Sequence, residues 1–234
     1  MQRRYRGSPQ QHGLDREIFK WFFLIRPRIS RAWSHLIPPE RLAPYHALAG
    51  GDKELGLKLY AWNSALSQAL YTPLQALEVT LRNAIGNRLR ATHGTQWYNL
   101  NPGPALHYPL PDMLLKARTA LGKRGIMADH GRIVAELNWG FWTGILAKRY
   151  EPLWRSDLRH VFQSAGPLTR NAVFMPLDDL RRLRNRIAHH EPILNRNIMA
   201  DYAAVLDLIR LISPTSADWV DDQSQLAAVL ADRP

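Results

Sequence analysis

Apolar residues recur along most of this chain at intervals of three and four, the spacing of one buried helix face. Leu55, Leu59, Trp62, Leu66 and Leu70 form one stripe and predict a helix over 52–71. Leu74, Leu77, Leu81, Ile85 and Leu89 form another and predict a helix over 73–92. Thr72-Pro73 between them reads as an N-cap followed by a first-turn proline, and Gly94 as the stop. Two helices joined so tightly are expected to pack as an antiparallel hairpin. Upstream, Pro38 and Pro39 lead into a short segment with Leu42 and Tyr45, and Gly50-Gly51 break the chain before the first stripe.

Residues 95–110, with Trp97 and Tyr98 among prolines and glycines, read as a loop. Helices are predicted over 112–121, over 131–149 on Ile133, Leu137, Phe141 and Ile145, and over 153–162. Ser164-Ala165-Gly166-Pro167 breaks the chain. Leu180, Leu183 and Ile187 predict a helix from Pro176 to His190, since Pro192 disfavours helix at Glu191. Further helices are predicted over 197–212, stopped by Pro214, and over 217–231. Strand-like alternation is nearly absent, so the fold class is all-α, with 36–234 as a single domain.

Residues 1–35 differ from the rest. They are basic, carry Gly7, Pro9 and Gly13, and sustain no helical period. They form a separate N-terminal extension: a nucleic-acid-binding arm, a packing segment or a stretch foreign to the native protein. Within it, Ile18 to Ile25 is the most apolar run, but Lys20 interrupts it and it falls far short of the roughly 20 residues of a spanning helix. No small-residue cleavage site follows, and Arg26, Arg28 and Arg31 come directly after, so neither a membrane span nor a secretion signal is expected. A membrane-surface anchor through the same run is the rival reading.

Of the 234 residues, 46% are hydrophobic, enough to bury a core. The absence of cysteine excludes disulfides, thiolate metal sites and cysteine nucleophiles, and fits a reducing cytoplasm. The formal charge of +11 favours polyanionic partners, nucleic acid before an anionic membrane.

Candidate chemistry concentrates in Leu183-Arg184-Asn185-Arg186-Ile187-Ala188-His189-His190-Glu191. An arginine followed by a histidine four or five residues later is not specific alone. Arg88 and His93, Arg155 and His160, Arg6 and His12, and Arg124 and His130 show the same gaps. Three features single out Arg184 and His189. Asn185 stands one helical turn before His189, where its amide can hold an imidazole nitrogen. The stripe Leu180-Leu183-Ile187 leaves that face away from the core. Histidine titrates near neutrality and arginine offers forked permanent donors, the pair that phosphodiester cleavage without a metal requires. On an ideal helix Arg184 and His189 lie roughly 140° apart. Either the last turn loosens, or two copies of the helix meet across a dimer and supply base and acid from opposite sides. The plainer alternative is a polar helix terminus whose cations complement the helix dipole. No matching ligands turn His189, His190 and Glu191 into a metal site.

The blocks Arg41-Leu42-x-x-Tyr45, Leu59-Tyr60-x-Trp62-Asn63, Leu77-Glu78 with Leu81-Arg82-Asn83-Ala84-Ile85, Gly94-x-x-Trp97-Tyr98, Phe141-Trp142 with Leu153-Trp154, and Arg184-Asn185-x-x-Ala188-His189-His190 together resemble the Abi-like proteins (abortive infection, AbiD/AbiF-type) of the HEPN superfamily. The likeness spans residues 36–210. It implies a HEPN-type helical bundle with additional helices in a mid-chain insertion. It implies, further, a dimeric, metal-independent endoribonuclease without cofactor, used in phage defence or as a toxin, with RNA as substrate and an antitoxin protein or RNA as partner. Arg184 and His189 match the catalytic pair. Asn185 and His190 match supporting positions, while Glu191 stands where many HEPN proteins carry a tyrosine. Glu78, Arg82 and Asn83 are expected to stand behind the site, Glu78 and Arg82 as an i,i+4 ion pair. A catalytically silent module that binds nucleic acid or a partner protein is the alternative. Trp139, Trp142 and Trp154, at helical spacing, are expected in the core rather than stacked on bases.

Overall fold

The computed structural model describes residues 37–101 and 103–234; the N-terminal extension and its apolar run 18–25 lie outside them. The described residues are all-helical, without a strand. Helix α1 is Pro39–Leu48, α2 is Lys53–His93, α3 is Leu110–Lys123, α4 is His130–Glu136 and α5 is Trp139–Gly144. Helix α6 is Glu151–Ser156, α7 is Arg170–Ala188, α8 is Ile198–Arg210, α9 is Pro214–Asp222 and α10 is Leu226–Ala231. The turns Trp97–Asn99, Lys148–Tyr150 and Leu158–Val161 are 3₁₀.

The expected hairpin is absent: α2 is one helix of 41 residues with Pro73 inside it. Proline forfeits the bond to the carbonyl four residues back and crowds it, which argues for a break. The phase of the stripe argues against one. Leu59, Trp62, Leu66, Leu70, Leu74, Leu77, Leu81, Ile85 and Leu89 are all buried, at intervals of three and four without a slip across Pro73. Keeping nine buried side chains on one face outweighs one lost backbone bond, since each is worth about 1.5–3 kcal/mol on full burial.

Chain packing divides into two compact units. One holds described residues up to Leu66 together with 228–234. Here Tyr45 packs edge-on against Tyr60 at 5.3 Å, the Trp62 indole donates to the Val229 carbonyl at 2.8 Å, and Arg233 lies over the Trp62 ring. Gly56 is required by the approach of His46, whose ring carbon would sit 2.3 Å from a β-carbon there.

The other unit, Ser67–Ala227, carries the candidate site. Its centre is aromatic: Trp97, Phe141 and Trp142 are fully enclosed, with Phe141 edge-on to Trp142 at 4.9 Å. Trp139 and Trp154 are buried as well, so the three expected core tryptophans serve packing. Helix α3 packs on α4 and α5, α5 on α7, and α7 and α9 both on α8. Several boundaries differ from those the spacing predicts, and the helix expected over 153–162 gives way after Ser156 to the 3₁₀ turn Leu158–Val161. The helix expected over 131–149 breaks at Leu137, because Asn138 caps a new start by accepting from the Phe141 amide. Helix α7 begins at Arg170, capped by Thr169, so Pro176 lies within it rather than at its start. Pro214 opens α9 behind a Ser213 cap, and the segment expected over 217–231 divides into α9 and α10.

Candidate functional site

Helix α7 presents its arginines in two groups. Asp178, near mid-helix, holds Arg181 at 2.8 Å and Arg182 at 2.8 Å. Burial works against ionisation of Asp178, but these guanidinium groups outweigh it and hold the carboxyl below its ordinary range. Arg184 is drawn elsewhere. Its Nη2 lies 3.7 Å from Glu78 Oε2 on α2, with the Glu78 side chain largely buried and Arg184 partly exposed. The expected pairing of Glu78 with Arg82 is therefore replaced: Glu78 reaches across to Arg184, and Arg82 Nε is buried without a hydrogen-bond partner. Asn83 is exposed on the next position of α2.

The end of α7 decides how the histidines stand. His189 is the C-cap residue (φ −91°, ψ 7°), and His190 follows at φ 55°, in the left-handed region. The His190 amide donates to the Ile187 carbonyl at 3.0 Å, and the Glu191 amide donates to the Arg186 carbonyl at 2.8 Å. This pair of bonds is the Schellman closure, with a histidine where glycine is the usual occupant. The chain reverses only at His190, after the His189 amide has made its helical bond, so the reversal does not bring His189 round to Arg184; both His189 and His190 are exposed. Arg186 braces it: its Nη2 donates to the Pro192 carbonyl at 2.5 Å and its Nε lies 3.7 Å from Glu191. The expected amide contact does not form. Asn185 and His189 are joined by the backbone bond from the His189 amide to the Asn185 carbonyl, at 2.9 Å, and by no side-chain bond.

Beyond the reversal, Arg196 ties α7 to α8, bridging Asp179 at 2.5 Å and Asp201 at 2.7 Å. These bonds to Asp201 and Asp179 hold the Arg196 guanidinium charged far above the ordinary range.

Sequence reading passed over two constellations. Arg88 and His93, dismissed there as a chance spacing, converge on Asp157, which is 1% exposed. Asp157 Oδ1 accepts from Arg88 Nε and from Thr92 Oγ1, and His93 Nε2 lies 3.5 Å from Oδ2. This cluster staples the end of α2 to the turn after α6. His130 is the second. The Trp97 indole donates to His130 Nδ1 at 3.0 Å, so Nε2 carries the proton toward Asn87 Oδ1 at 3.3 Å. Burial and then Arg90 push its pKa down, which keeps that ring neutral.

Among the described residues no group of three His, Cys, Asp or Glu is gathered as a metal would need, and no helix is long and apolar enough to cross a membrane. What the fold and site define is an all-α protein with a carboxylate-held arginine and two exposed histidines at the end of one helix. No protein-family model, curated protein or solved structure matches the chain.

Proposed function

We propose that the chain is a metal-independent endoribonuclease of the HEPN type, working as a homodimer in the cytoplasm, within an abortive-infection or toxin system restrained by an antitoxin. The family part of this reading rests on the sequence resemblance. The observation that carries the chemical part is the end of α7, where Arg184 stands beside Glu78 and His189 and His190 are exposed on a left-handed reversal.

In this reading RNA is gathered through its phosphates by the basic surface. His189 takes the proton from a 2′-hydroxyl as that oxygen attacks the adjacent phosphorus. His189 of a second copy gives a proton to the departing 5′-oxygen, since in-line displacement needs base and acid on opposite sides. Arg184 stabilises the charge that accumulates on the phosphorane oxygens, with Glu78 fixing its direction. The bond from phosphorus to the 5′-oxygen breaks, leaving a 2′,3′-cyclic phosphate and a 5′-hydroxyl. His190, Asn185, Arg82 and Asn83 support this arrangement rather than act in it.

Cleavage of labelled RNA in a chelating buffer, by wild type and Arg184→Ala, tests the proposal. Cleavage by wild type alone supports it, and full-rate cleavage by the variant overturns the role of Arg184. The second reading, a silent module that binds nucleic acid or a partner protein, is favoured by the exposed cations of α7. It predicts RNA binding without cleavage.

A further inference from the structure

Tyr108 is 78% exposed, yet the backbone beneath it is tightly held. Arg149 Nη1 donates to the Tyr108 carbonyl at 2.9 Å. The Tyr150 hydroxyl donates to the His107 carbonyl at 2.9 Å and accepts from the His107 amide at 3.0 Å. The rings of His107 and Tyr150 stack at 6.0 Å. A single exposed aromatic needs no explanation on its own. An aromatic ring free of packing, on a support pinned at three points, has lost its backbone freedom in advance.

The surroundings are basic. Lys148 is exposed and makes no ion pair among the described residues, and Arg149 is also exposed. Lys116 is exposed on the helix that begins two residues after Tyr108, and its own partner is Asp112 at 2.8 Å. The carboxylate of Glu151, next along the chain, is already taken by Arg170 and Arg155. A ring open to stacking and exposed cations together are the chemistry of single-stranded nucleic acid, whose bases offer π-faces and whose phosphates offer charge. An anionic membrane would use the cations but offers the tyrosine ring no base to stack on.

We infer that Tyr108, with Lys148 and Arg149, is a stacking platform for single-stranded RNA, separate from the end of α7. This inference rests on the proposed ribonuclease for its biological purpose but not for its chemistry. Arg170 locates the platform. It bonds to the Leu146 carbonyl at 2.6 Å and to Glu151 at 3.0 Å, the two sides of the Lys148–Tyr150 turn, from the first residue of α7. His189 follows the last residue of that 19-residue helix, which is about 28 Å long, so the turn that supports the platform and the histidines lie at opposite ends of it. At the duplex spacing of about 3.4 Å per nucleotide about eight nucleotides span that length, and fewer do when the strand is extended.

The test is fluorescence anisotropy with full-length His189→Ala protein and labelled single-stranded RNA of about 4 and about 16 nucleotides, bracketing that span. Tyr108→Ala is expected to weaken binding of the longer RNA roughly tenfold, while Tyr108→Phe binds like the parent. Lys148→Glu is expected to lower the salt dependence by at least one phosphate, about 0.7 in the logarithmic slope. Undiminished binding by Tyr108→Ala overturns the platform. So does equal affinity for duplex RNA that ignores Tyr108, or Tyr108-dependent binding to phosphatidylserine vesicles that RNA fails to displace. The two proposals fail separately: a wild type that binds through Tyr108 without cutting leaves the platform and loses the nuclease, and the reverse result does the opposite.

Discussion

Exchanging His190 for alanine and for glycine measures what the reversal at the end of α7 costs. At φ 55° an L-residue crowds its β-carbon against the following carbonyl, at about 1–2 kcal/mol, and glycine escapes this. Both substitutions remove whatever the imidazole touches, so their difference isolates the backbone. Glycine returns part of its advantage, about 0.5–1 kcal/mol, through the greater freedom of its unfolded chain. The net expectation is that His190→Gly is more stable than His190→Ala by about 1 kcal/mol. For a chain of this size that is about 2–4 °C in Tm. At His189 (φ −91°, ψ 7°), one residue earlier and right-handed, the order inverts, with alanine the more stable by about 0.5–1 kcal/mol. Thermal unfolding by far-UV circular dichroism reads all four variants. Alanine matching or exceeding glycine at 190 refutes the left-handed reversal, and with it the way both histidines are presented. If His190 supports cleavage, the more stable glycine variant also cuts more slowly, a trade between stability and activity seen at strained functional positions.

Pro73→Ala is expected to stabilise the protein by about 1–3 kcal/mol in denaturant unfolding, because it restores a bond inside α2; a hairpin corner there would give no gain. Asp157→Ala is expected to cost about 1–3 kcal/mol, since it removes the buried acceptor shared by Arg88 and Thr92 while the partly exposed Arg88 can turn to water, and a neutral result in the same assay removes the cluster from the account. The pKa of His130 is lowered on folding, so its contribution to stability is complete above the unfolded value near 6.5 and is lost as pH falls below it. His130→Gln should therefore flatten the stability profile on the acid side of neutrality, and an unchanged profile argues against a lowered pKa at that half-buried ring. Glu78→Gln leaves Arg184 unheld and should slow RNA cleavage with little change in Tm, as expected of a partly exposed pair.

Much of the helical architecture was legible because burial enforces period. The stripe of α7, Leu180, Leu183 and Ile187, is buried as its spacing predicts. Proline was the main source of error. Pro73 and Pro176 each invited a boundary where the helix runs on, and for Pro73 the uninterrupted phase of the leucines was the better guide; Pro214 does mark a boundary, but it also opens α9. The break at Leu137 was hidden for the opposite reason: the apolar spacing runs on through Asn138, and only the capping preference of asparagine marks the new start. Arg184, His189 and His190 were legible as residue types at a helix end. Their geometry was not, because left-handed backbone is rare outside glycine and nothing local announces it. The partner of Arg184 was equally hidden: Glu78 has Arg82 one turn away, and only packing brings it against an arginine 106 positions later in the chain.

The measurement that bears most directly on the central claim is end-group analysis of single-stranded RNA incubated in EDTA with wild type and with His189→Ala. The account predicts fragments with 2′,3′-cyclic phosphate and 5′-hydroxyl ends from the wild type and intact RNA from the variant. Cleavage by His189→Ala at the wild-type rate, or fragments ending in 5′-phosphate, would contradict it.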